Sequence, residues 1–519
     1  EAASRGLKAA LIDKGDFGSA TSANSLKIIH GSLRYLQDLD FKRMRESSNE
    51  RRVLMKIAPH LVHPMPVLMP TYGHLMKGKE VMRLALLVND IITFDKNKGN
   101  PPEKHIPRGK VISKEECLQI LPNLDKNNLT GAALWYDAQM HNSERLTLAF
   151  DHSAANSGAD AANYVEADGF VMDGNKVAGV KAKDNLTGKE FEIKAKLVIN
   201  TAGPWIKNVI KSLDNSIKVS FCKAMNIIVK RQLFNKYAVG LSLRNSNFTG
   251  KNFGTLFIVP WRNYSIIGVY FAPFDGNPND FRIEENEIRD FINYINAVYP
   301  SAALKIEDVC FVHKGIQPIE NEMKNGQIKL LRHSSIHVHK ENNVEGVITV
   351  IGNKYTTARG IAQKVIDFAF RKLDKKMQKS KSAFTPVYGG DIERFEVFLE
   401  YAKEKSESFD AETIKHLVYN YGASYAEVIK LCEENTELRE QLCESSEVTK
   451  AEIVYAIREE MAQKLADVVL RRTELGSAGY PGDECLLRCA EVMAKELRWS
   501  EHKIREELNE VRGFYSKLF

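Results

Sequence analysis

The sequence has no long apolar run, few cysteines and almost no excess charge. No stretch of about 18 apolar residues occurs, which excludes a transmembrane helix of ordinary length. Lys and Arg number 73 against 67 Asp and Glu, and a net charge of +6 gives no argument for nucleic acid binding. The composition, 44% hydrophobic and 27% charged, is that of a globular protein, and 519 residues suffice for two or three domains.

Seven cysteines are scattered along the chain, and none forms a C-x-x-C motif. Cys485 and Cys489 are four residues apart, which places both on one face of a helix. We therefore predict that all seven are reduced packing residues, in the cytosol or on the cytosolic side of a membrane. His337 and His339 share a strand face, but no third ligand is evident, so we predict no metal site.

The most informative segment follows a short apolar strand, Ala9–Ile12, that ends in Asp13. A carboxylate there suits the ribose-binding edge of a dinucleotide fold, because it accepts two hydroxyl hydrogen bonds. The small and hydroxylated residues of Gly15–Ser22 are able to line a pyrophosphate without crowding it. A helix end at Glu1–Gly6 precedes the strand, but no strand and G-x-G-x-x-G turn come before it. We therefore expect the N-terminal strand and phosphate loop of the natural protein to be missing, and cofactor binding by this chain to be weak.

Hydrophobic periodicity divides the chain into an α/β part and a helical part. The α/β part is predicted to contain helices at 43–57, 79–93, 111–121, 146–157, 285–298 and 358–373, with strands at 162–166, 170–172, 177–183, 191–195, 197–200 and 347–351. The region from about 220 to 270 is predicted to be β-rich, with strands at 225–229, 256–260 and 265–271. The C-terminal part is predicted to contain helices at 393–405, 411–420, 424–433, 450–471, 483–497 and 501–514. Between them, residues 371–381 carry six positive charges and one negative charge, which indicates a solvated linker or a membrane-surface patch.

Motifs spread over nearly the whole chain resemble those of the FAD-dependent glycerol-3-phosphate dehydrogenases and oxidases. They are Leu11–Gly18, His30–Tyr35, Glu144–Leu148, Ala162–Val165, Asn200–Trp205, Thr349–Thr357, Tyr455–Ala462 and Asp467–Thr473. The resemblance implies an α/β fold with a glutathione-reductase-like FAD-binding domain, a mixed β-sheet substrate domain and an all-α C-terminal domain. It places the FAD-binding domain at 1–375, incomplete at its N-terminus and interleaved with a β-rich cap at about 40–135 and 210–335. A linker at 376–390 and a helical domain at 391–519 follow.

The same resemblance implies an activity. The expected reaction is oxidation of sn-glycerol 3-phosphate to dihydroxyacetone phosphate, with hydride transfer from C2 to N5 of FAD. Electrons then pass to quinone, or to oxygen as in the oxidases. The expected partners are a phosphorylated polyol, quinone and a peripheral membrane surface, reached through 371–381 or the apolar stretch Pro64–Tyr72, without nucleic acid. The expected location is the cytoplasm, or the cytoplasmic face of the membrane, and a homodimer is plausible for this family.

Oxidation of an alcohol requires a base and cations that hold an anionic substrate. His30 is the candidate base, and Arg34 and Lys354 complete the predicted catalytic set. Arg34, Gln317, Arg332 and Lys354 are predicted to bind substrate. The predicted cofactor-binding residues are Asp13, Lys14, Ser19, Thr21, Ser22, Lys27, His30, Val165, Ala202, Gly203, Trp205, Gly352 and Thr356.

The chain departs from the family pattern at several positions. Gln317 stands where the family has an arginine expected to contact substrate, and losing one charge-assisted bond to phosphate costs about 1.5–3 kcal/mol. Ser32 and Asn353 replace glycines, and His141-Asn142 replaces a pair of aspartates. Since most departures are expected near the substrate, two alternatives stay open: a flavoenzyme for another small hydroxylated anion, or a non-catalytic relative.

Overall fold

The computed structural model describes residues 1–74, 78–214, 216–244, 248–251, 253–320, 328–339, 343–352, 354–406 and 408–516. Its first seven helices are α1 (Phe41–Ile57), α2 (Lys79–Ile92), α3 (Lys114–Ile120), α4 (Ser143–Asn156), α5 (Ile206–Ile210), α6 (Glu285–Val298) and α7 (Ala358–Lys372). The C-terminal helices are α8 (Phe395–Lys405), α9 (Ala411–Tyr421), α10 (Tyr425–Glu434), α11 (Lys450–Arg458), α12 (Leu465–Asp467), α13 (Asp483–Leu497) and α14 (Glu501–Ser516).

Within the described residues, nineteen strands accompany these helices. The first ten are β1 (Ala10–Ile12), β2 (Ile28–Ile29), β3 (Val62–Tyr72), β4 (Lys110–Ile112), β5 (Leu129–Met140), β6 (Asp160–Ala162), β7 (Val165–Asp173), β8 (Lys176–Asp184), β9 (Glu190–Lys194) and β10 (Val198–Asn200). The others are β11 (Ser220–Val229), β12 (Ala238–Leu241), β13 (Leu256–Trp261), β14 (Tyr264–Phe274), β15 (Val309–Ile319), β16 (Ser335–Val338), β17 (Val347–Ile351), β18 (Gln441–Cys443) and β19 (Ser446–Thr449).

Nine strands form one large mixed sheet in the order β15-β11-β14-β13-β12-β3-β5-β2, with β4 also paired to β5. Only the β12–β3 pairing in this sheet is parallel. Two parallel pairs, β1 with β6 and β10 with β17, stand outside it, as does the antiparallel sheet β7-β8-β9. Parallel pairs of this kind are typical of nucleotide-binding α/β units. The predicted α/β fold with a mixed sheet and a helical C-terminal part is confirmed.

Local sequence signals account for several elements. Ser113 accepts a hydrogen bond from the Glu116 backbone N–H at 3.1 Å and so caps the N-terminus of α3. Gly174, at φ 60°, occupies the tight turn between β7 and β8. The large sheet and the C-terminal helices share one core, in which Phe311 of β15 packs against Phe514 and Tyr515 of α14.

The C-terminal part corrects three sequence predictions. Residues 441–449 form the hairpin β18–β19 rather than helix, and it brings Cys443 within disulfide distance of Cys485 on α13. The prediction that all seven cysteines are reduced is therefore wrong. The predicted helix 450–471 ends at Arg458 and resumes as α12 and a π-helical turn, Val468–Arg472.

The two predicted membrane segments differ in environment. Pro64–Tyr72 belongs to β3 inside the large sheet, and Met65, Val67 and Leu68 are buried in the core, so this stretch is not available to lipid. The basic segment 371–381 begins in the last turn of α7 and is mostly exposed, and the Arg5 Nε donates to the Gln378 carbonyl at 2.8 Å. Among the described helices, none is long and apolar enough to cross a membrane.

Candidate functional site

His30 lies at the end of β2, opposite an acid carried by β5. The antiparallel pairing of Ile29 with Ala138 brings Asp137 next to the histidine, and its Oδ2 lies 3.3 Å from His30 Nδ1. Asp137 Oδ1 accepts from the Gly31 N–H at 2.7 Å and from Arg51 Nη1 at 3.1 Å. A Cβ on Gly31 would lie 2.0 Å from that guanidinium, so only glycine fits here. The result is a His–Asp pair fixed by backbone and by a buried arginine.

Arg34 fixes the tautomer of this histidine. Arg34 Nη1 lies 3.1 Å from His30 Nε2, and because a guanidinium only donates, Nε2 must be the acceptor. The ring proton is then on Nδ1, where it is donated to Asp137. Burial lowers the pKa of His30, the Asp137 hydrogen bond opposes this, and the nearby Arg34 and Lys354 charges add to the lowering. His30 is therefore neutral at neutral pH, and its unprotonated Nε2 accepts from Arg34.

Cations gather beside His30 around the ring of Tyr35. The Arg43 guanidinium lies 4.4 Å and the Lys354 Nζ 4.1 Å from the ring centroid. Burial, followed by the charges of Arg43 and Arg34, lowers the pKa of Lys354 to about 7. Since charges of one sign are costly at this distance, the cluster is suited to an anionic ligand.

The predicted substrate residues Gln317 and Arg332 lie on connected segments near this cluster. Gln317 is a partly exposed residue of β15, and the Leu331 N–H donates to the carbonyl of Pro318 at 3.2 Å. Arg332 forms an ion pair with Glu320 at 3.5 Å. Its neighbour His333 lies 3.3 Å from Asp40, the N-cap of α1 and a partner of Arg43.

The loops predicted to hold the cofactor follow the parallel strand pairs. Asp13 follows β1, its Oδ1 accepts from the Gly15 N–H at 3.0 Å, and its carbonyl accepts from the Val165 N–H at 2.8 Å. Ala202 and Gly203 follow β10, and Gly352 follows β17. A Cβ on Gly203 would meet nothing within 4 Å, which leaves open space beside the loop.

Several side chains link these loops to one another. Lys14 Nζ lies 4.1 Å from the Trp205 ring centroid, and both side chains donate to Asn279 Oδ1 at 2.7 Å. Tyr355, between Lys354 and the buried Thr356, shares a hydrogen bond with Thr147 Oγ1 at 2.9 Å. Thr147 also lies 3.6 Å from a Cβ placed on Gly18. The loops after β1, β10 and β17 thus converge.

The loop Gly15–Asn24 is anchored by its own polar residues. Thr21 Oγ1 contacts the backbone N–H and carbonyl of Ile316, each at 3.2 Å, while Ser19 and Ser22 are exposed. Lys27 Nζ donates to the Ala23 carbonyl at 2.9 Å, to Ser143 Oγ at 3.0 Å and to Glu144. The Lys27 side chain is therefore a buried anchor held by protein groups, and its predicted role in cofactor binding stays a prediction.

A buried ion cluster ties the same loop to the C-terminal domain. Arg472 donates to both oxygens of Asp16, at 2.6 and 2.7 Å, and Arg471 donates to the same carboxylate. Burial alone would raise the pKa of Asp16, but Arg472 and Arg471 outweigh it and hold the pKa well below its usual range. Asn163 Nδ2 donates to Asp16 Oδ1 and to the Met461 carbonyl, each at 3.0 Å. The helix predicted at 450–471 is interrupted between Arg458 and Leu465, where Met461 makes one of these contacts.

The departures from the family pattern do not all lie at the substrate. Ser32, two residues after His30, donates from its Oγ to Asn89 of α2. His141 Nε2 lies 2.7 Å from Glu474 Oε1, which also accepts from Asn142 Nδ2 at 3.0 Å, so this pair contacts the C-terminal domain. Asn353 is outside the described residues. Within the described part of the chain no group of three or more potential ligands is arranged to hold a metal, and His339 bonds Asp214 at 2.6 Å.

Comparison with known proteins agrees with this geometry. The FAD dependent oxidoreductase family matches residues 1–367, and the C-terminal domain of alpha-glycerophosphate oxidase matches residues 380–504. The chain belongs to the FAD-dependent oxidoreductases. The glycerol-3-phosphate dehydrogenase of Synechocystis is 29% identical over 99% of this chain and 93% of the relative. The human mitochondrial glycerol-3-phosphate dehydrogenase is 30% identical over 99% of this chain and 70% of the relative.

A solved structure supports the fold. The glycerol-3-phosphate dehydrogenase from Bacillus halodurans, complexed with FAD, superposes with a TM-score of 0.77 at 23% identity, covering 99% of this chain and 91% of that one. The family resemblance drawn from the motifs is confirmed, and so is FAD as the cofactor of this oxidoreductase. The individual site residues stay predictions.

The residues present fit this cofactor. Asp13 lies at the end of a parallel strand beside Val165, small residues line the loop that follows, and nothing lies within 4 Å of the position that a Cβ would take on Gly203. In this oxidoreductase, sequence reasoning missed Asp137, Arg51 and Arg43. The available signal was an acid, Asp137, inside the otherwise apolar strand β5.

Proposed function

We propose that this chain oxidises sn-glycerol 3-phosphate to dihydroxyacetone phosphate with FAD and passes the electrons to quinone. The observation that carries the proposal is the neutral His30 beside the cations Arg34, Arg43 and Lys354, a base next to an anion site. The relatives that match nearly the whole chain are named glycerol-3-phosphate dehydrogenases. The test of this proposal is reduction of the bound flavin by glycerol 3-phosphate.

We assign a role to each group. Arg34 and Lys354 hold the phosphate, and the substrate hydroxyl takes the place of Arg34 as hydrogen-bond partner of His30 Nε2. His30 Nε2 takes the hydroxyl proton, and Asp137 stabilises the resulting imidazolium through Nδ1. When bound, FAD accepts at N5 the hydride that leaves C2. The products are a ketone, reduced flavin and a proton on His30.

The low pKa of Lys354 makes substrate capture sensitive to alkali. Because that pKa is about 7, the free enzyme loses this positive charge as the pH rises above 7, and kcat/KM for glycerol 3-phosphate is expected to fall there. Lys354→Arg should move the fall to a much higher pH, since a guanidinium stays charged. Lys364→Arg, on the exposed face of α7, is the matched control and should leave the profile unchanged. An alkaline limb that persists in Lys354→Arg would assign it to another group.

We also propose that α2 contacts a membrane surface, which is where quinone would be met. Leu84, Leu87 and Ile91 are exposed by 61, 58 and 64% on one side of the helix, and Phe94, just beyond its C-cap, is exposed by 81%. Arg83 of the same helix is also exposed, and such a mixed apolar and basic face is typical of helices that lie in the lipid interface. Ser32–Asn89 connects α2 to the segment that carries His30 and Arg34.

Serine at Leu84, Leu87 and Ile91 together is expected to weaken co-sedimentation with vesicles containing anionic phospholipid by about tenfold or more, because apolar burial in the interface is lost. The matched control is serine at Met172 and Leu186, which are exposed by 42 and 45% on the separate β7-β8-β9 sheet. Activity with a water-soluble acceptor should be unchanged. Binding that persists in the triple variant but is abolished by salt would identify the basic segment 371–381 instead.

A flavoenzyme for a different hydroxylated anion is the second candidate. It rests on Gln317, which lacks the charge of the arginine expected there, while Arg34, Arg43 and Lys354 are all present. Gln317→Arg distinguishes the two candidates. If the arginine improves turnover of glycerol 3-phosphate by about tenfold or more, this chain is adapted to another substrate.

A further inference from the structure

A cavity separate from the His30 cluster lies between α1, α7 and residues 383–384, which lead into the C-terminal helices. Its volume is about 210 Å³, and its lining includes three cationic side chains, those of Arg52, Lys56 and Arg359. None of these residues belongs to the His30 cluster or to the predicted cofactor loops.

The positive charge in this cavity is only partly neutralised. Arg359 pairs with Glu50, at 2.8 and 2.5 Å. Arg52 donates only to neutral oxygens, the Lys98 carbonyl at 2.9 Å and Asn49 Oδ1 at 2.6 Å. Lys56 Nζ lies 5.5 Å from the Phe384 ring centroid, and no carboxylate of the described residues pairs with Lys56 or Arg52. Three cations thus face one carboxylate.

An asparagine lines the same cavity. Asn100 is 8% exposed, its Nδ2 donates to the Arg52 carbonyl at 3.3 Å, and its Oδ1 has no hydrogen-bond partner. This oxygen has almost no accessible surface, so a ligand in the cavity does not reach it and Asn100 supplies only a neutral part of the wall. The cations without a carboxylate partner match a negatively charged group.

We propose that this cavity binds a phosphate group, either inorganic phosphate or a small phosphate monoester, at a site separate from Arg34 and Lys354. Two phosphate oxygens accept from Arg52 and Lys56. The helix that carries Arg52 also carries Arg51, which holds Asp137 at 3.1 Å. Bound phosphate therefore contacts the helix that positions the His30–Asp137 pair. The proposal does not depend on the identity of the substrate.

The test is calorimetric titration of the full chain with inorganic phosphate. A double variant, Arg34→Gln with Lys354→Gln, removes the first cationic cluster and is expected to keep one saturable site. In that background Arg52→Gln with Lys56→Gln should weaken the remaining site about tenfold or more. Asn100→Asp, which adds a negative charge without changing side-chain size, should also abolish it. Lys98→Gln, an exposed cation next to the cavity but outside its lining, is the control and should bind as its parent does.

Two results would overturn the proposal: no saturable site in the first double variant, or a site that is insensitive to both Arg52→Gln/Lys56→Gln and Asn100→Asp. Circular dichroism and thermal unfolding of each variant exclude loss of the fold as the cause. Repeating the titration with glycerol 3-phosphate distinguishes the sources. Tighter binding of inorganic phosphate identifies the free ion, and tighter binding of the ester identifies a monoester.

Discussion

Replacement of His30 by asparagine is expected to lower kcat for glycerol 3-phosphate by about 10²- to 10⁴-fold, the usual contribution of a positioned general base. Nε2 is the only nitrogen of the ring left as an acceptor, because Nδ1 faces Asp137. The Michaelis constant should change little, since Arg34 and Lys354 hold the phosphate. Steady-state kinetics with a soluble electron acceptor measure the effect, and the flavin spectrum shows whether FAD is still bound.

Two comparisons make this result specific. His337→Asn is the same substitution at a histidine bonded to Ser335, at 2.8 Å, and should leave kcat unchanged. Asp137→Asn should cause a smaller loss than His30→Asn, because the base is present but its tautomer and imidazolium are no longer stabilised. A His30→Asn enzyme with full FAD and a kcat within threefold of wild type would exclude His30 as the base.

Replacement of Asp16 by asparagine is expected to destabilise the protein by about 3–5 kcal/mol, because it leaves buried guanidinium groups without a counter-charge. Asp16 and Arg472 are both fully buried, and their ion pair joins two residues that are 456 positions apart in the chain. The same change should weaken FAD binding, since Asp16 fixes the loop that carries Ser19, Thr21 and Ser22. Chemical unfolding and flavin fluorescence titration measure the two effects.

A surface ion pair of the same domain supplies the control. Glu496→Gln removes a carboxylate from Arg458, whose side chain is 50% exposed, and should cost less than about 1 kcal/mol. Equal effects of Asp16→Asn and Glu496→Gln would contradict the account of the C-terminal domain as an anchor of the cofactor loop.

Local signals predicted the elements whose stability depends on near neighbours. In α1, the positions that recur at helical spacing, among them Met44, Ser47 and Met55, are all buried. Arg34 was predicted to act with His30, and its Nη1 lies 3.1 Å from His30 Nε2.

Features formed by residues far apart in sequence were not predicted. Asp137 reaches His30 only because β2 pairs with β5, across 107 positions. The Cys443–Cys485 pair depends on where the β18–β19 hairpin packs against α13. The interruption of the helix predicted at 450–471 allows Glu460 to pair with Arg145, at 2.6 Å, and Met461 to meet Asn163. In each case a tertiary contact decided the outcome, and periodicity carries no information about it.

The central claim is that this oxidoreductase removes a hydride from glycerol 3-phosphate. The most direct measurement is to mix the FAD-loaded protein anaerobically with glycerol 3-phosphate and follow the flavin absorbance. Rapid loss of the oxidised flavin band, abolished by His30→Asn, is the predicted result. A bound flavin that dithionite reduces, but that glycerol 3-phosphate leaves oxidised, would contradict it and direct the search to other hydroxylated anions or to a non-catalytic role.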